Sequence, residues 1–224
     1  MVGRAGLLEG WQYAPMGLFR RRSEPAFTLP AVPPAEATIT LGACNEVVGE
    51  SFYSEALEAG LGDNSALDVV AVLLPEPNNP HDRKAIGVYV QGHKVGHLSR
   101  EDARRFRERV LEGWRSAGVA AVGAIVYRGG SSASVVLEPS YLPAASRPRL
   151  CLALSAAGFR TRHGDVDGFT LQERPKTWKV VWSGSDQAGR EENVPAMAEA
   201  LRAAGYDAKM RREDGYPTIV VRAV

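Results

Sequence analysis

Cysteine is scarce in this chain. The 224 residues include two cysteines, Cys44 and Cys151, which lie far apart and form neither a CxxC pair nor a zinc-binding spacing. A disulfide framework and a structural zinc site are therefore not expected. The composition fits the reducing conditions of a cytoplasm.

Long apolar runs are also missing. No stretch of about 18 apolar residues is present, so we expect no membrane span. The N-terminal segment lacks the apolar run that a secretory signal needs. The sequence therefore predicts a soluble, cytoplasmic protein without a membrane partner.

The common catalytic motifs are absent too. The chain contains no GxxxxGK[ST], HExxH or GxSxG motif and no cysteine and histidine in a recognisable catalytic context. His81, Asp82, His93 and His97 can meet in space, but turn and surface positions are the favoured interpretation over a metal site. We expect no enzyme, metal or cofactor, and a hydrolase with an unrecognised site is the remaining alternative.

Charge is distributed unevenly along the chain. Residues 46–82 contain eight acidic side chains and no lysine or arginine, whereas residues 83–128 contain ten basic and four acidic ones. The formal net charge of +1 hides this contrast. A basic surface for a polyanion is therefore expected in the middle of the chain.

Composition divides the chain into three parts. Residues 1–36 contain Arg20, Arg21 and Arg22 followed by several prolines, which is typical of a flexible arm. Residues 38–142 predict a domain of short strands, and residues 147–224 predict a small α+β domain.

The middle part is predicted to be a small β-barrel of the OB or SH3-like kind with one helix. Ser99 and Asp102 form a capping box that begins the helix. The turn at Gly129-Gly130-Ser131 closes the last strand pair. The strands are expected at 38–41, 67–74, 85–90, 94–98, 119–127 and 132–137, and the buried stripe of the helix at Ala103, Phe106, Val110 and Trp114.

An internal repeat marks the C-terminal part. Leu154 to Phe159 matches Leu201 to Tyr206, and Asp167-Gly168-Phe169 matches Asp214-Gly215-Tyr216 at the same offset. Each copy predicts a helix, a glycine cap, a strand, an Asp-Gly turn and a second strand. The helices are expected at 147–157 and 191–204, with an additional strand at 177–182. This domain is the expected contact for a protein partner.

The most informative segment is EPNNPHDRKAIGVYVQGHKVGHL, which runs from Glu76 to Leu98. Prolines interrupt regular structure around two asparagines, a strand follows, and Gln91-Gly92 turns the chain back. With VVGESFY at residues 47–53, this order resembles the HIRAN domain, a small module of DNA-repair helicases and free-standing bacterial proteins. The resemblance covers roughly residues 45 to 142, and the missing phosphate loop excludes the helicase motor.

The resemblance implies a module that binds the free 3′ end of single-stranded DNA, in DNA repair or processing. Matched by position, Asp82 is the acid that bonds the terminal 3′-hydroxyl, and Asn79 is an asparagine of the turn. Phe52 and Tyr53 are the aromatic pair that stacks on the terminal bases. A carboxylate accepts a hydrogen bond from a hydroxyl and repels a phosphate, and stacking tolerates any base.

Two positions depart from the DNA-binding type. Ser51 stands in place of an arginine, so a phosphate contact is missing. His81 stands in place of a tyrosine, and its imidazole ring is smaller. Lys84, Lys94 and Arg128 are candidates for compensating charge, and binding is expected to be weak without it.

The same residues have a structural interpretation. Asp82 can cap backbone amides of the turn, and Phe52 can belong to the core. The alternative function is therefore a protein-interaction module on a HIRAN scaffold without DNA binding.

Overall fold

The computed structural model describes residues 37–43, 45–128, 132–162, 166–184 and 187–222. The predicted arm at 1–36, Cys44 and the turn at Gly129-Gly130-Ser131 lie outside the described residues. Among the helices of the described part, none has the length and apolar character needed to cross a membrane.

Six antiparallel strands close into a barrel, which confirms the predicted fold class. The predicted strand at 38–41 is wrong, because Thr38 makes one isolated bridge to Ala121 instead. The barrel order is β1-β4-β3-β2-β5-β6, with β1 (Asn45–Val48), β2 (Ala66–Pro75), β3 (Ile86–Val90), β4 (His93–Leu98), β5 (Ala121–Arg128) and β6 (Ala133–Leu137).

Helix α2 (Arg100–Ala117) begins as predicted. The Ser99 Oγ accepts a hydrogen bond from the Asp102 amide at 3.1 Å and donates one to the Asp102 carboxylate at 2.7 Å. The predicted stripe faces the barrel core, and the Trp114 Nε1 donates to the Leu73 carbonyl at 2.8 Å. This bond fixes the end of α2 against β2.

The barrel also carries a helix that was not predicted, α1 (Ser54–Leu61). Leu57 and Leu61 are buried in the same core as α2. The expectation of a single helix was wrong because α1 is about two turns long, so its apolar spacing repeats once and gives a weak periodic signal.

A buried glutamate ties the segment before β1 to the barrel. The Glu138 carboxylate accepts hydrogen bonds from the amides of Leu41 and Gly42, each at 2.7 Å, and of Ala43 at 3.3 Å. Glu138 is 6% exposed and Leu41 is buried, so the bond between them is shielded from water, whereas Gly42 is exposed. Such charge-assisted bonds are stronger than neutral ones.

The C-terminal part forms a four-stranded antiparallel sheet of order β7-β8-β10-β9 beside two helices. The predicted additional strand is present as β8. The elements are α3 (Arg147–Ala156), β7 (Phe169–Arg174), β8 (Thr177–Trp182), α4 (Gln187–Ala203), β9 (Asp207–Glu213) and β10 (Tyr216–Arg222).

Both repeated helices end in the same motif. Gly158 and Gly205 adopt left-handed φ angles of 85° and 88°. The amides of the next residues, Phe159 and Tyr206, bond back to the carbonyls of Leu154 and Leu201, each at 3.0 Å. This is the Schellman arrangement, and the repeated sequence Leu-x-Ala-Ala-Gly-aromatic encodes it.

The second copy of the repeat continues as predicted, with Asp214 and Gly215 joining β9 to β10. The first copy does not. The described residues between Gly158 and β7 form no strand, and Thr161 makes an isolated bridge to Phe169. Helix α4 also begins four residues before the predicted start and tolerates Pro195.

Helix α3 packs on the outer wall of the barrel. Leu150 and Leu154 share an apolar cluster with Ile125 of β5 and Val136 of β6. The Ser65 Oγ strengthens this contact, because it donates to the Phe159 carbonyl at 3.1 Å. The sheet domain is therefore attached to the face of the barrel centred on β5, which lies between β2 and β6.

We predict that Glu138→Ala lowers the free energy of unfolding by about 2 kcal/mol, since it leaves the buried amide of Leu41 without an acceptor and removes the bonds to Gly42 and Ala43. Urea unfolding measures this change. Glu199→Ala on the exposed side of α4 is the matched control and should change stability by less than about 0.5 kcal/mol. Equal stabilities of the two variants would contradict the role assigned to Glu138.

Candidate nucleic-acid interface

The candidate site begins with an irregularity between β3 and β4. Tyr89 pairs with Lys94 and Gly87 pairs with His97, so β4 has one residue more than β3 between these pairs. This is a β-bulge. In a regular strand Lys94 and His97 would lie on opposite faces, but the bulge brings them to the face shared by positions 87 and 89.

Glu76, which follows β2, lies against this face. Its Oε1 accepts from the Lys94 Nζ at 2.6 Å, and its Oε2 contacts the His97 Nε2 at 3.1 Å. The same Oε2 accepts from the Asn79 Nδ2 at 2.8 Å. The carboxylate lies over Gly87, where an added Cβ would come within 2.5 Å of Oε1. Glycine at this position therefore leaves the space that the carboxylate occupies.

The partners of Glu76 keep its carboxylate ionised. Burial alone would raise the pKa of Glu76, but hydrogen bonds from His97, Lys94 and Asn79, together with the Lys94 charge, lower it to about 2. The side chains of Glu76 and Lys94 are 16% and 11% exposed. Their ion pair is therefore largely shielded from solvent.

Asn79 connects Glu76 to the predicted hydroxyl-binding turn. Its Oδ1 accepts from the amides of His81 at 2.9 Å and Asp82 at 3.3 Å, while its Nδ2 donates to Glu76. The Asp82 Oδ1 accepts from the Lys84 amide at 2.8 Å. Asp82 thus caps its turn with one oxygen, as the structural interpretation holds. Its Oδ2 lies 4.0 Å from the Arg100 Nε.

The aromatic pair lies at the end of β1. Glu50–Phe52 forms a 3-10 turn, and Tyr53 follows it at the start of α1. The Lys94 Nζ lies 6.0 Å from the centre of the Tyr53 ring. Phe52 is 87% exposed, so the interpretation that places it in the core is wrong.

The structure therefore links most of the predicted residues in one series of contacts. Tyr53 contacts Lys94, Lys94 contacts Glu76, Glu76 contacts Asn79, and Asn79 holds the turn that carries Asp82. The side chains of Phe52, His81 and Lys84 are exposed around this series.

The cations of the site differ from those expected. Lys94 is paired with Glu76, and Arg128 is paired with Glu58 and donates to the Gly62 carbonyl at 2.7 Å. Desolvation lowers the pKa of Arg128. Lys84 is the third cation expected to compensate for the arginine that is missing at Ser51, and its side chain is exposed.

Three residues of the site were missed by sequence reasoning. Glu76 and Gly87 face each other across two strand ends, and Arg100 reaches Asp82 because α2 begins beside the turn. The capping box predicts where α2 starts but not which loop lies next to it. Arg100 is 77% exposed and adds a cation beside the predicted hydroxyl-binding acid.

The described residues contain no group of three or more His, Cys, Asp and Glu side chains placed to hold a metal ion. The possible cluster of His81, Asp82, His93 and His97 does not form in the described part of the chain. His97 contacts Glu76 instead, and Asp82 accepts a hydrogen bond within its own turn. Burial raises the pKa of the Cys151 thiol to about 12, so this cysteine stays protonated and is a poor nucleophile.

Residues 45–138 match the family model of the HIRAN domain. The predicted resemblance is confirmed over this segment, which contains the whole barrel with α1 and α2. No curated protein matches the chain. A HIRAN domain indicates nucleic-acid binding in general, and no helicase motor accompanies it in the match.

The lowered pKa of Glu76 predicts a dependence of stability on pH. A carboxyl group whose pKa is depressed by folding stabilises the protein above its unfolded pKa, and this contribution is lost as the pH falls. Between about pH 5 and about pH 2, the wild type should lose up to about 3 kcal/mol more than Glu76→Gln. Chemical unfolding across this range measures the difference. Parallel curves for the two proteins would contradict the assignment, and Glu199→Gln serves as the exposed control.

Proposed function

We propose that this protein binds the free 3′ end of single-stranded DNA, as a non-enzymatic module in DNA repair or processing. The observation that carries the proposal is the Asp82 turn. One carboxylate oxygen is held by the backbone, and the other lies beside Arg100 at the protein surface. Both the family match and the linked aromatic residue support a nucleic-acid ligand.

Asp82 provides the chemistry for distinguishing strand ends. The Oδ2 atom is an acceptor for a 3′-hydroxyl, whereas a 3′-phosphate would place two negative groups together. Because the Oδ1 atom is bonded to the Lys84 amide at 2.8 Å, the carboxylate cannot turn away freely. Its orientation is fixed before a ligand arrives, which reduces the entropic cost of binding.

The terminal bases would contact the aromatic pair. Phe52 offers an almost fully exposed ring, and Tyr53 is half-buried beneath Lys94. Each stacked base contributes about 1–3 kcal/mol and does not depend on base identity. Binding at this site is therefore expected to depend on the strand end and not on sequence.

The charges of the site favour modest affinity. Lys94 and Arg128 are neutralised by carboxylates, and Ser51 offers no cation. Arg100 and Lys84 remain beside Asp82 for contact with phosphates. Few phosphate contacts mean a small electrostatic contribution and a weak salt dependence.

The alternative, a protein-interaction module, is favoured by one observation. An 87% exposed phenylalanine beside an exposed serine can also contact an apolar side chain of a partner. The same experiment distinguishes the two functions.

We predict that the wild type prefers a short oligonucleotide with a 3′-hydroxyl over one with a 3′-phosphate by about tenfold, or about 1.4 kcal/mol. Fluorescence anisotropy with a 5′-labelled strand at low salt measures both affinities. Asp82→Asn keeps an oxygen for the Lys84 amide but removes the charge, so the preference should disappear. The control is Asp63→Asn, whose carboxylate lies in an exposed pair with Arg160.

Equal binding of both ends by the wild type would reduce the DNA role to non-specific charge. Absence of binding would leave the protein-interaction function as the better explanation.

A second prediction concerns Arg100. Arg100→Gln should weaken binding to both ends alike and reduce the slope of log affinity against log salt by about 1, as expected for one lost phosphate contact. Arg174→Gln, on the sheet of the C-terminal domain, is the matched control and should leave the slope unchanged. An unaltered slope in Arg100→Gln would place the phosphates elsewhere.

A further inference from the structure

Glu76 contacts both halves of the candidate site. One carboxylate oxygen binds Lys94, which lies over Tyr53, and the other binds Asn79, which organises the Asp82 turn. The paired strands of the barrel set the overall position of the two halves, and these side-chain contacts connect the halves directly. A single carboxylate thus connects the part of the site that contains Tyr53 with the turn that contains Asp82.

The contact with Asn79 determines which way its amide points. The Nδ2 group faces the Glu76 carboxylate at 2.8 Å, and the Oδ1 atom consequently faces the amides of His81 and Asp82. If the carboxylate moved away, the amide could rotate and present N–H groups to N–H groups. Backbone hydrogen bonds also hold this turn, and the Glu76 carboxylate adds the contact that fixes the Asn79 amide and, through it, the amides of His81 and Asp82.

The contact with Lys94 changes the role predicted for that lysine. Its Nζ lies 2.6 Å from the Glu76 Oε1 and its side chain is 11% exposed. An ammonium group held in this way is neutralised and shielded, which suits a support for the Tyr53 ring better than a phosphate ligand.

We infer that Glu76 is the positioning residue of this site and that it sets the preference for a 3′-hydroxyl over a 3′-phosphate. The inference rests on the proposed binding of DNA ends. Glu76 does not touch the ligand in this scheme. It acts by fixing the Asp82 turn relative to Tyr53.

Gly87 offers a way to move the carboxylate without changing any charge. A Cβ at this position would lie 2.5 Å from the Glu76 Oε1 and 3.0 Å from a Tyr89 ring carbon, so Gly87→Ala should displace the flexible Glu76 side chain. Gly123→Ala in β5 is the matched control, because its added Cβ would meet nothing within 4 Å. Both glycines lie in strands of the same barrel.

The experiment measures the ratio of affinities for 3′-hydroxyl and 3′-phosphate strands by fluorescence anisotropy in Gly87→Ala, Glu76→Gln and Gly123→Ala. We expect the ratio to fall from about tenfold to about one in the first two variants and to persist in the third. Affinity for the 3′-phosphate strand should change by less than about twofold in Gly87→Ala. In Glu76→Gln, binding to both strands should strengthen at low salt because the variant removes the carboxylate charge that offsets the charge of Lys94.

A second readout does not depend on DNA. In nuclear magnetic resonance spectra of the free protein, the side-chain amide of Asn79 and the backbone amides of His81 and Asp82 should shift in Gly87→Ala but not in Gly123→Ala. Shifted turn signals with a retained hydroxyl preference would overturn the inference, since Glu76 would then be purely structural. A wild type without hydroxyl preference would instead overturn the proposed function, so the two failures are distinguishable.

Discussion

The carboxylate of Glu76 above Gly87 is the interaction on which the candidate site depends. Taking an ionised carboxylate out of water is costly, and it persists where its oxygens are paired and hydrogen-bonded. Here the bulged strand β4 supplies Lys94 and His97, and the asparagine turn supplies Asn79. Because Glu76 follows β2, the ion cluster adds side-chain contacts between three elements that the backbone hydrogen bonds already bring together.

Features encoded within a few residues could be predicted from the sequence. The capping box at Ser99 and the glycine-ended helices of the repeat both depend on neighbours within about one helical turn. The spacing of Ala103, Phe106 and Val110 likewise predicted the buried face of α2. In each case the physical cause is local, so the pattern is visible without the fold.

The rest of the site depends on contacts that the sequence does not display. A simple count of positions puts Lys94 and His97 on opposite faces of β4, and the bulge reverses this parity. Lys94 was therefore expected to be available for a phosphate contact, although it is paired with Glu76. Glu76 was not recognised as part of the site. Arg100 is near Asp82 because the start of α2 packs beside a loop, and no spacing rule connects these positions.

Neutralising a lysine inside the proposed DNA-binding site has a cost and a consequence. The cost is affinity, because phosphate neutralisation supplies much of the binding energy for single strands. The consequence is that discrimination shifts from charge to hydrogen-bond geometry at Asp82. A site with many free cations would hold any stretch of a strand, so its terminal contact would be a small part of the total. Under the proposed function, a site with few free cations depends on the terminal contact, and selectivity for strand ends would follow from this weakness.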